Sequence, residues 1–181
     1  MLNIGIVGAG VGGLSCALML KKLGHKVTIF EKQSKSISSG VGIQLSSNAI
    51  RILRLFDLED NIARVANFPL MVDCINGHNG KKITSIPLGR IAEKKFNAGF
   101  YQLHRNDLIS ILKNKVEDFG IKINYGSPVN NLTQNSSNAK IQLLNQNYNY
   151  DFVIGADGVN SLVRKKIFPN HKPRFLKQVA F

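Results

Sequence analysis

Short runs of β-branched and aromatic residues alternate with amphipathic stretches along most of this chain. Ile4, Ile6 and Val7 form a first apolar run, bounded by glycines and too short for a helix, which predicts a strand. From about Gly12 to Leu23, Leu14, Ala17 and Leu18, with Cys16 beside them, supply one helical face, and Gly24 is placed to end the helix. Val27, Ile29 and Phe30 make the next strand, and Glu31 closes it. Asn3 to Lys32 therefore predicts a β-α-β unit.

The serine-rich stretch Gln33 to Gly40 reads as a loop that ends in the apolar-glycine run Gly40 to Leu45, where a ligand or another backbone comes close. Ser46 or Ser47 is placed to cap a helix carrying Ile50, Leu53 and Leu55, and a second helix is expected from Leu58 to Val65. From Pro69 to Leu88 the period becomes that of strands. Leu70–Ile75 and Lys82–Ile86 flank a glycine-bearing loop, which predicts a hairpin, and the charged stretch Arg90 to Lys95 is expected to return over the surface. Phe100–His104 is a short strand, followed by a helix on which Leu108, Ile111, Leu112, Val116 and Phe119 keep helical spacing. Ile121–Tyr125 then predicts a strand parallel to the first two, because a helix crosses over before it. A second hairpin is expected from Val129–Thr133 and Ala139–Leu144, then one buried strand from Tyr150 to Ala156, then a helix from Val159 to Ile167 beginning at Asp157. The alternation implies an α/β, Rossmann-like fold with a parallel sheet. The hairpins are excursions from it into a second, substrate-facing layer.

The turn after the first strand carries chemistry. Gly8, Gly10 and Gly13 satisfy G-x-G-x-x-G: the first allows the tight turn, the second lets a pyrophosphate approach, the third lets helix and sheet pack closely. The helix N-terminus offers unpaired N–H groups to the phosphates. Glu31 lies about 20 residues further on, where an acid accepts hydrogen bonds from ribose hydroxyls. That acid disfavours a 2′-phosphate, so the motif implies FAD or NAD rather than NADP.

Two later positions each have two readings. Arg105, at a strand-helix junction, is either a solvated or structural cation or a bidentate partner for a pyrophosphate. Asp157-Gly158 is either an ordinary turn or a ligand-facing loop, delivered to the carboxyl end of the sheet by an apolar strand.

A chain of 181 residues with 44% hydrophobic content is long enough for a real core. No apolar run approaches the roughly 20 residues of a spanning helix, and the early glycines argue against a signal peptide, so a cytoplasmic location is expected. Cys16 and Cys74 sit in apolar-periodic segments, as reduced, buried thiols do, and the histidines lack ligand spacing, so no metal is expected. The net charge of +13 arises from dispersed basic residues without interleaved aromatics, which favours a solvated surface over nucleic-acid binding. A denser patch, Arg164, Lys165, Lys166, Lys172, Arg174 and Lys177, suits a phosphate-bearing reductant or peripheral contact with a membrane.

Four segments, GAGVGGLSCALMLKKLGHKVTIFEK, GVGIQLSSNAIRILRLFDL, FYQLHRNDLISIL and DFVIGADGVNSLVRKKI, together resemble the FAD-dependent aromatic-ring monooxygenases, of the salicylate hydroxylase and 3-hydroxybenzoate 6-hydroxylase type. The resemblance implies an FAD domain in which Gly8, Gly10, Gly12 and Gly13 surround the pyrophosphate and Glu31, with Lys32 beside it, meets the ribose. It places Val41 and Gly42 near the flavin side, Arg105 near the phosphates and the Val129 backbone at adenine. Asp157 and Gly158 match the family's Asp-Gly motif for FAD and pyridine nucleotide. Residues 1–68 would open the FAD domain, 69–98 form the hairpin excursion, 99–168 complete the FAD domain and 169–181 begin a substrate domain. The implied activity is hydroxylation of a small aromatic or related ring with O₂ and NAD(P)H. No side chain is named as an acid-base catalyst. The family's later Gly-Asp motif and most of its substrate-binding sheet do not occur in this sequence, so the C-terminal part of the family fold is expected to be absent and the chain to be a truncated form. Two other readings stay open: a catalytically inactive FAD-binding fragment and an NAD-linked dehydrogenase.

Overall fold

The computed structural model describes residues 1–34, 41–171, 174, 176 and 177. In chain order these form β1 (Asn3–Val7), α1 (Val11–Lys22), β2 (Lys26–Phe30), β3 (Gly42–Leu45), α2 (Ser47–Arg54) and α3 (Glu59–Val65). Then come β4 (Met71–Ile75), β5 (Lys82–Pro87), α4 (Gly89–Phe96), β6 (Tyr101–His104), α5 (Arg105–Asp118) and β7 (Lys122–Asn124). The last are β8 (Asn131–Gln134), β9 (Ala139–Gln142), β10 (Asn147–Tyr150), β11 (Phe152–Gly155) and α6 (Leu162–Ile167). The chain divides into two compact units, Met1–Ser36 with Phe119–Phe181, and Ile37–Asp118.

In the first unit the apolar runs of β1 and β2 pair in parallel, and β11 and β7 add on either side to give the order β11-β1-β2-β7. The parallel strand expected near residues 121–125 is there, beside β2. Strands β8, β9 and β10 form a separate antiparallel sheet. Alternation along β1 points Gly5 and Val7 to one face. Val7, Phe30, Leu132, Ile141, Tyr150 and Val163 make one buried cluster there, with Phe30 packed edge-on to Tyr150 at a centroid distance of 6.0 Å. Gly5 permits this approach, because a Cβ on it would lie 2.8 Å from Ile141 Cδ1 and from the Tyr150 ring.

The expected single strand Tyr150–Ala156 is two strands. Tyr150 ends β10, and at Asp151 the chain passes to the parallel sheet. The Asn3 N–H donates to the Asp151 carboxylate at 2.7 Å, while the Asp151 N–H donates to the Asn3 carbonyl at 2.9 Å. The expected helix Val159–Ile167 starts late, at Leu162, because Gly158 takes φ +78° and turns the chain first.

In the second unit β3 pairs antiparallel with β6, and β4 with β5 as the expected hairpin. Another backbone does approach the Gly40–Leu45 run, since Gly42 stands opposite His104 in this ladder. Ile50 and Leu53 of α2, Ile62 of α3 and Leu108, Leu112 and Val116 of α5 are buried. Ser46 takes the N-cap position of α2, but its hydroxyl donates to the Asn48 side chain rather than capping the helix. The surface return expected at Arg90–Lys95 is instead helix α4, of which Gly89 and Ala92 are buried. Cys74, expected to be buried, is exposed, and Cys16 is half-buried. The reason lies in the hairpin: every residue of β4 and β5 is exposed, so neither face offers a thiol a core. Residues 35–40 of the serine-rich loop, Lys172 of the basic patch and the last four residues lie outside the described residues.

Candidate dinucleotide cradle

Val7 ends β1, and the chain turns at once because Gly8 takes φ +104°, which side chains resist. Its N–H donates to the Phe30 carbonyl at 2.7 Å, hanging the turn from the end of β2. A Cβ on Gly8 would lie 2.4 Å from the Ala156 carbonyl oxygen and 3.1 Å from Asp157 Cα. Gly13 is tighter still, its Cβ position lying 1.9 Å from the Gly8 carbonyl oxygen. These two glycines are dictated by protein packing. Gly10 and Gly12 are not, since a Cβ at either would meet nothing within 4 Å.

Gly10 and Gly12 therefore stand clear of other protein atoms. Gly10 takes the N-cap position of α1, where no side chain caps the helix and no acid occupies the first turn. The first N–H groups of a helix lack intrahelical acceptors and carry partial positive charge, which favours an anion. The open space at Gly10 and Gly12, beside an uncapped helix end, therefore suits a pyrophosphate.

Glu31 is built into the same turn. Its Oε2 accepts the Ala9 N–H at 2.7 Å and its Oε1 accepts the Gln33 N–H at 2.9 Å. A carboxylate offers about four lone-pair positions, so acceptor capacity remains for hydroxyl donors. The loop after β7 is stitched alongside: Ser127 N–H donates to the Glu31 carbonyl at 2.8 Å and Gly126 N–H to the Gln33 carbonyl at 3.0 Å. Lys32 is exposed. The Val129 side chain packs against the buried cluster.

The Asp157 carboxylate accepts three donors within the protein. Its Oδ1 accepts the Ser161 hydroxyl at 2.6 Å, and its Oδ2 accepts the N–H of Leu162 at 2.6 Å and of Val163 at 3.2 Å. Gly158 provides the turn between acid and helix, and its carbonyl accepts the Ser161 N–H at 3.1 Å.

Val41, Gly42 and Arg105 belong to the second unit. There the Arg105 N–H donates to the Val41 carbonyl at 2.9 Å, joining the end of β6 to the start of β3, and Arg105 itself is exposed at the head of α5. The structure thus gathers Gly8, Gly10, Gly12, Gly13, Glu31 and Asp157 about one turn, and Val41, Gly42 and Arg105 about another. Sequence reasoning noted Ala156 only as a small residue ending its strand, not the contact by which its carbonyl makes Gly8 obligatory, and it did not find Ser161, which shares the Asp157 carboxylate. Ser161 had a local signal, a serine directly before a helical run; the Ala156 contact had none, since it depends on a strand nearly the whole chain away.

Among the described residues no group of three or more His, Cys, Asp or Glu side chains is placed to hold a metal, and no helix is long and apolar enough to cross a membrane.

Comparison with known proteins agrees with this geometry. Residues 1–172 match the family described as FAD binding domain. The chain is 30% identical over 167 residues to 3-amino-4-hydroxybenzoate 2-monooxygenase of Streptomyces cremeus, a match covering 92% of this chain and 42% of that enzyme. It is 28% identical over 179 residues to 6-hydroxynicotinate 3-monooxygenase of Pseudomonas fluorescens, covering 98% of this chain and 46% of that one. The crystal structure of FqzB superposes with a TM-score of 0.79 at 27% identity, covering 91% of this chain and 38% of that chain. The chain thus spans less than half the length of the curated relatives it matches. It belongs to the FAD-binding domain family, and within it is similar to the FAD-dependent aromatic-ring monooxygenases.

Proposed function

We propose that this chain binds the adenosine and pyrophosphate of FAD in the turn between β1 and α1, as part of a monooxygenase acting on a small aromatic ring. The open space at Gly10 and Gly12, set between two glycines fixed by protein contacts, carries this reading. The pyrophosphate lies against the N-terminus of α1, Glu31 accepts ribose hydroxyls, and the Val129 backbone meets the adenine edge. The family resemblance assigns Arg105 to the phosphates and the backbone of Val41 and Gly42 to the flavin side. Lys32 and the backbone of Gly158 complete the set.

Bound there, the flavin supplies hydride acceptance from NAD(P)H and the activation of O₂, while the protein's share is binding, orientation and exclusion of water. The names of two relatives, 3-amino-4-hydroxybenzoate 2-monooxygenase and 6-hydroxynicotinate 3-monooxygenase, support a small carboxylated aromatic or heteroaromatic ring as the substrate class. The NAD-linked dehydrogenase reading loses support to the family match.

Titrating FAD into the purified chain, with quenching of flavin fluorescence as readout, tests the binding. Saturable binding of FAD, not prevented by NADP⁺, is expected. Absence of binding at tens of micromolar FAD refutes the assignment. For the proposed activity the readout is NAD(P)H-dependent oxygen uptake stimulated by an aromatic acid.

A further inference from the structure

Charge is unevenly shared between the two units. The first, Met1–Ser36 with Phe119–Phe181, holds 13 of the chain's 24 lysines and arginines but only three of its 11 acids, Glu31, Asp151 and Asp157. Glu31 and Asp157 stand just past the carboxyl ends of β2 and β11, and both accept backbone N–H groups there. The opposite edge of the parallel sheet, where its strands begin, has one acid of this unit, Asp151, whose carboxylate accepts the Asn3 N–H at 2.7 Å.

Cations collect at that edge for a topological reason. A helix that follows a strand and packs on a parallel sheet runs back against it, so it ends where the strands start. Helix α1 ends there in Lys21 and Lys22. Just beyond, His25 Nδ1 accepts the Leu2 N–H at 3.3 Å, and the Lys26 N–H donates to the Leu2 carbonyl at 2.8 Å. Helix α6 brings Lys165 and Lys166 to the same edge, because Lys166 and Ile167 line one cleft of about 850 Å³ together with Leu2, Asp151 and Phe152. Lys166 also donates to the Asn131 side chain at 3.3 Å, a neutral partner that leaves its charge uncompensated. Lys26 and Lys122 open β2 and β7. Lysines at helix C-termini complement the helix dipole, but those at the strand starts have no such local reason.

The same edge exposes large apolar side chains. Leu23 is 65%, Phe152 59%, Ile167 59% and Phe168 61% exposed. Cations alone would suit any polyanion. Cations set among exposed aromatic and aliphatic groups match the boundary of a bilayer, whose headgroups take the charge and whose acyl region takes the apolar side chains.

We propose that the strand-start edge of the first unit docks on an anionic lipid surface. Lys21, Lys26, Lys122, Lys165 and Lys166 meet the headgroups, and Leu23, Phe152, Ile167 and Phe168 enter the interface. The glycine turn lies at the other end of the same strands, so it faces away from the lipid in the docked unit.

Cosedimentation of the purified chain, without FAD, with vesicles of phosphatidylglycerol and phosphatidylcholine in equal parts tests this, with pure phosphatidylcholine vesicles as the control. Binding to the mixed vesicles and not to the control is expected at about 50 mM salt, falling steeply by about 500 mM as the charges are screened. A lysine near such a surface contributes about fivefold in affinity, so Lys165→Gln with Lys166→Gln, and separately Lys26→Gln with Lys122→Gln, should each weaken binding at least about tenfold. Phe168→Ser removes no charge and should still weaken it about tenfold, through lost apolar burial. All five positions are exposed, and circular dichroism checks the fold of each variant. Should Phe168→Ser misfold, Leu23→Ser provides the same comparison. Failure to sediment with the anionic vesicles overturns the proposal, as does equal binding to phosphatidylcholine alone. Wild-type vesicle binding by the serine variant, together with equally tight, salt-sensitive binding of single-stranded DNA, overturns it in favour of a nucleic-acid partner. Because the assay omits FAD, its outcome is separate from that of the FAD titration.

Discussion

Replacing Gly13 and Gly10 by alanine, one at a time, separates the two kinds of glycine in the cradle. At Gly13 the new methyl would lie 1.9 Å from the Gly8 carbonyl oxygen and 3.1 Å from its carbon, both backbone atoms. Contacts under 3.0 Å are essentially never seen for a Cβ, so the start of α1 must move by roughly an ångström. Overpacking of that kind costs at most about 3 kcal/mol in the usual range, and alanine in a helix returns about 1 kcal/mol. A clash with backbone at this distance belongs at the upper end, so the net loss approaches about 2 kcal/mol and the Tm falls by up to about 4–8 °C for a chain of this size. Gly10 has an extended backbone, φ −76° and ψ −178°, that alanine adopts freely, and open space for the methyl. Its variant should stay within about 1 kcal/mol of wild type, the scale of an N-cap substitution, yet bind FAD at least about tenfold more weakly because the methyl occupies the phosphate approach. Thermal denaturation followed by circular dichroism, paired with FAD titration of the same samples, measures both. A Gly13→Ala protein as stable as wild type would refute the packing reasoning. A Gly10→Ala protein with wild-type FAD affinity would refute the phosphate assignment.

Other outcomes follow from the same geometry. Gly5→Val drives two methyls into the Ile141 and Tyr150 side chains and should lower stability by about 1–3 kcal/mol, read by chemical denaturation. Glu59→Gln loses the paired contacts of its carboxylate with Arg54, which is about one-third exposed, so the cost should stay near 1 kcal/mol or below and shrink with added salt. Burial pushes the Cys16 thiol up from its ordinary value, so less of it is thiolate at any given pH, and Cys74 should react first with a thiol-specific reagent at pH 8. Mass spectrometry of partially labelled protein checks the order, and preferential modification of Cys16 would contradict the burial pattern.

Features encoded within a few neighbouring residues were legible in the sequence. The β1-α1-β2 unit was, because its periods, its glycines and Glu31 all lie within one short stretch. The strand-to-helix junction at Arg105 was legible for the same reason. The division at Asp151 was not, since it depends on Asn3, whose N–H meets a carboxylate far along the chain. Helix α4 was missed because it buries so little that its sequence reads as a charged surface loop. Cys74 looked buried because β4 is apolar, but strand composition does not reveal whether a second layer covers the strand. At Asp157 the Asp-Gly pair was visible, whereas the three donors on its carboxylate follow from the path of the chain after Gly158.

The place of β1 in the sheet bears on how the protein is made. It is an interior strand, flanked by β2 on one side and β11 on the other, and β11 comes more than a hundred residues later. Pairings so distant in sequence form slowly, because a long loop must close before they yield any stabilisation. During synthesis the Gly8 turn therefore waits, with one wall missing, until Ala156 has been translated. An apolar strand exposed for that interval invites mispairing. The glycine turn after β1 is thus made long before it can reach its final form.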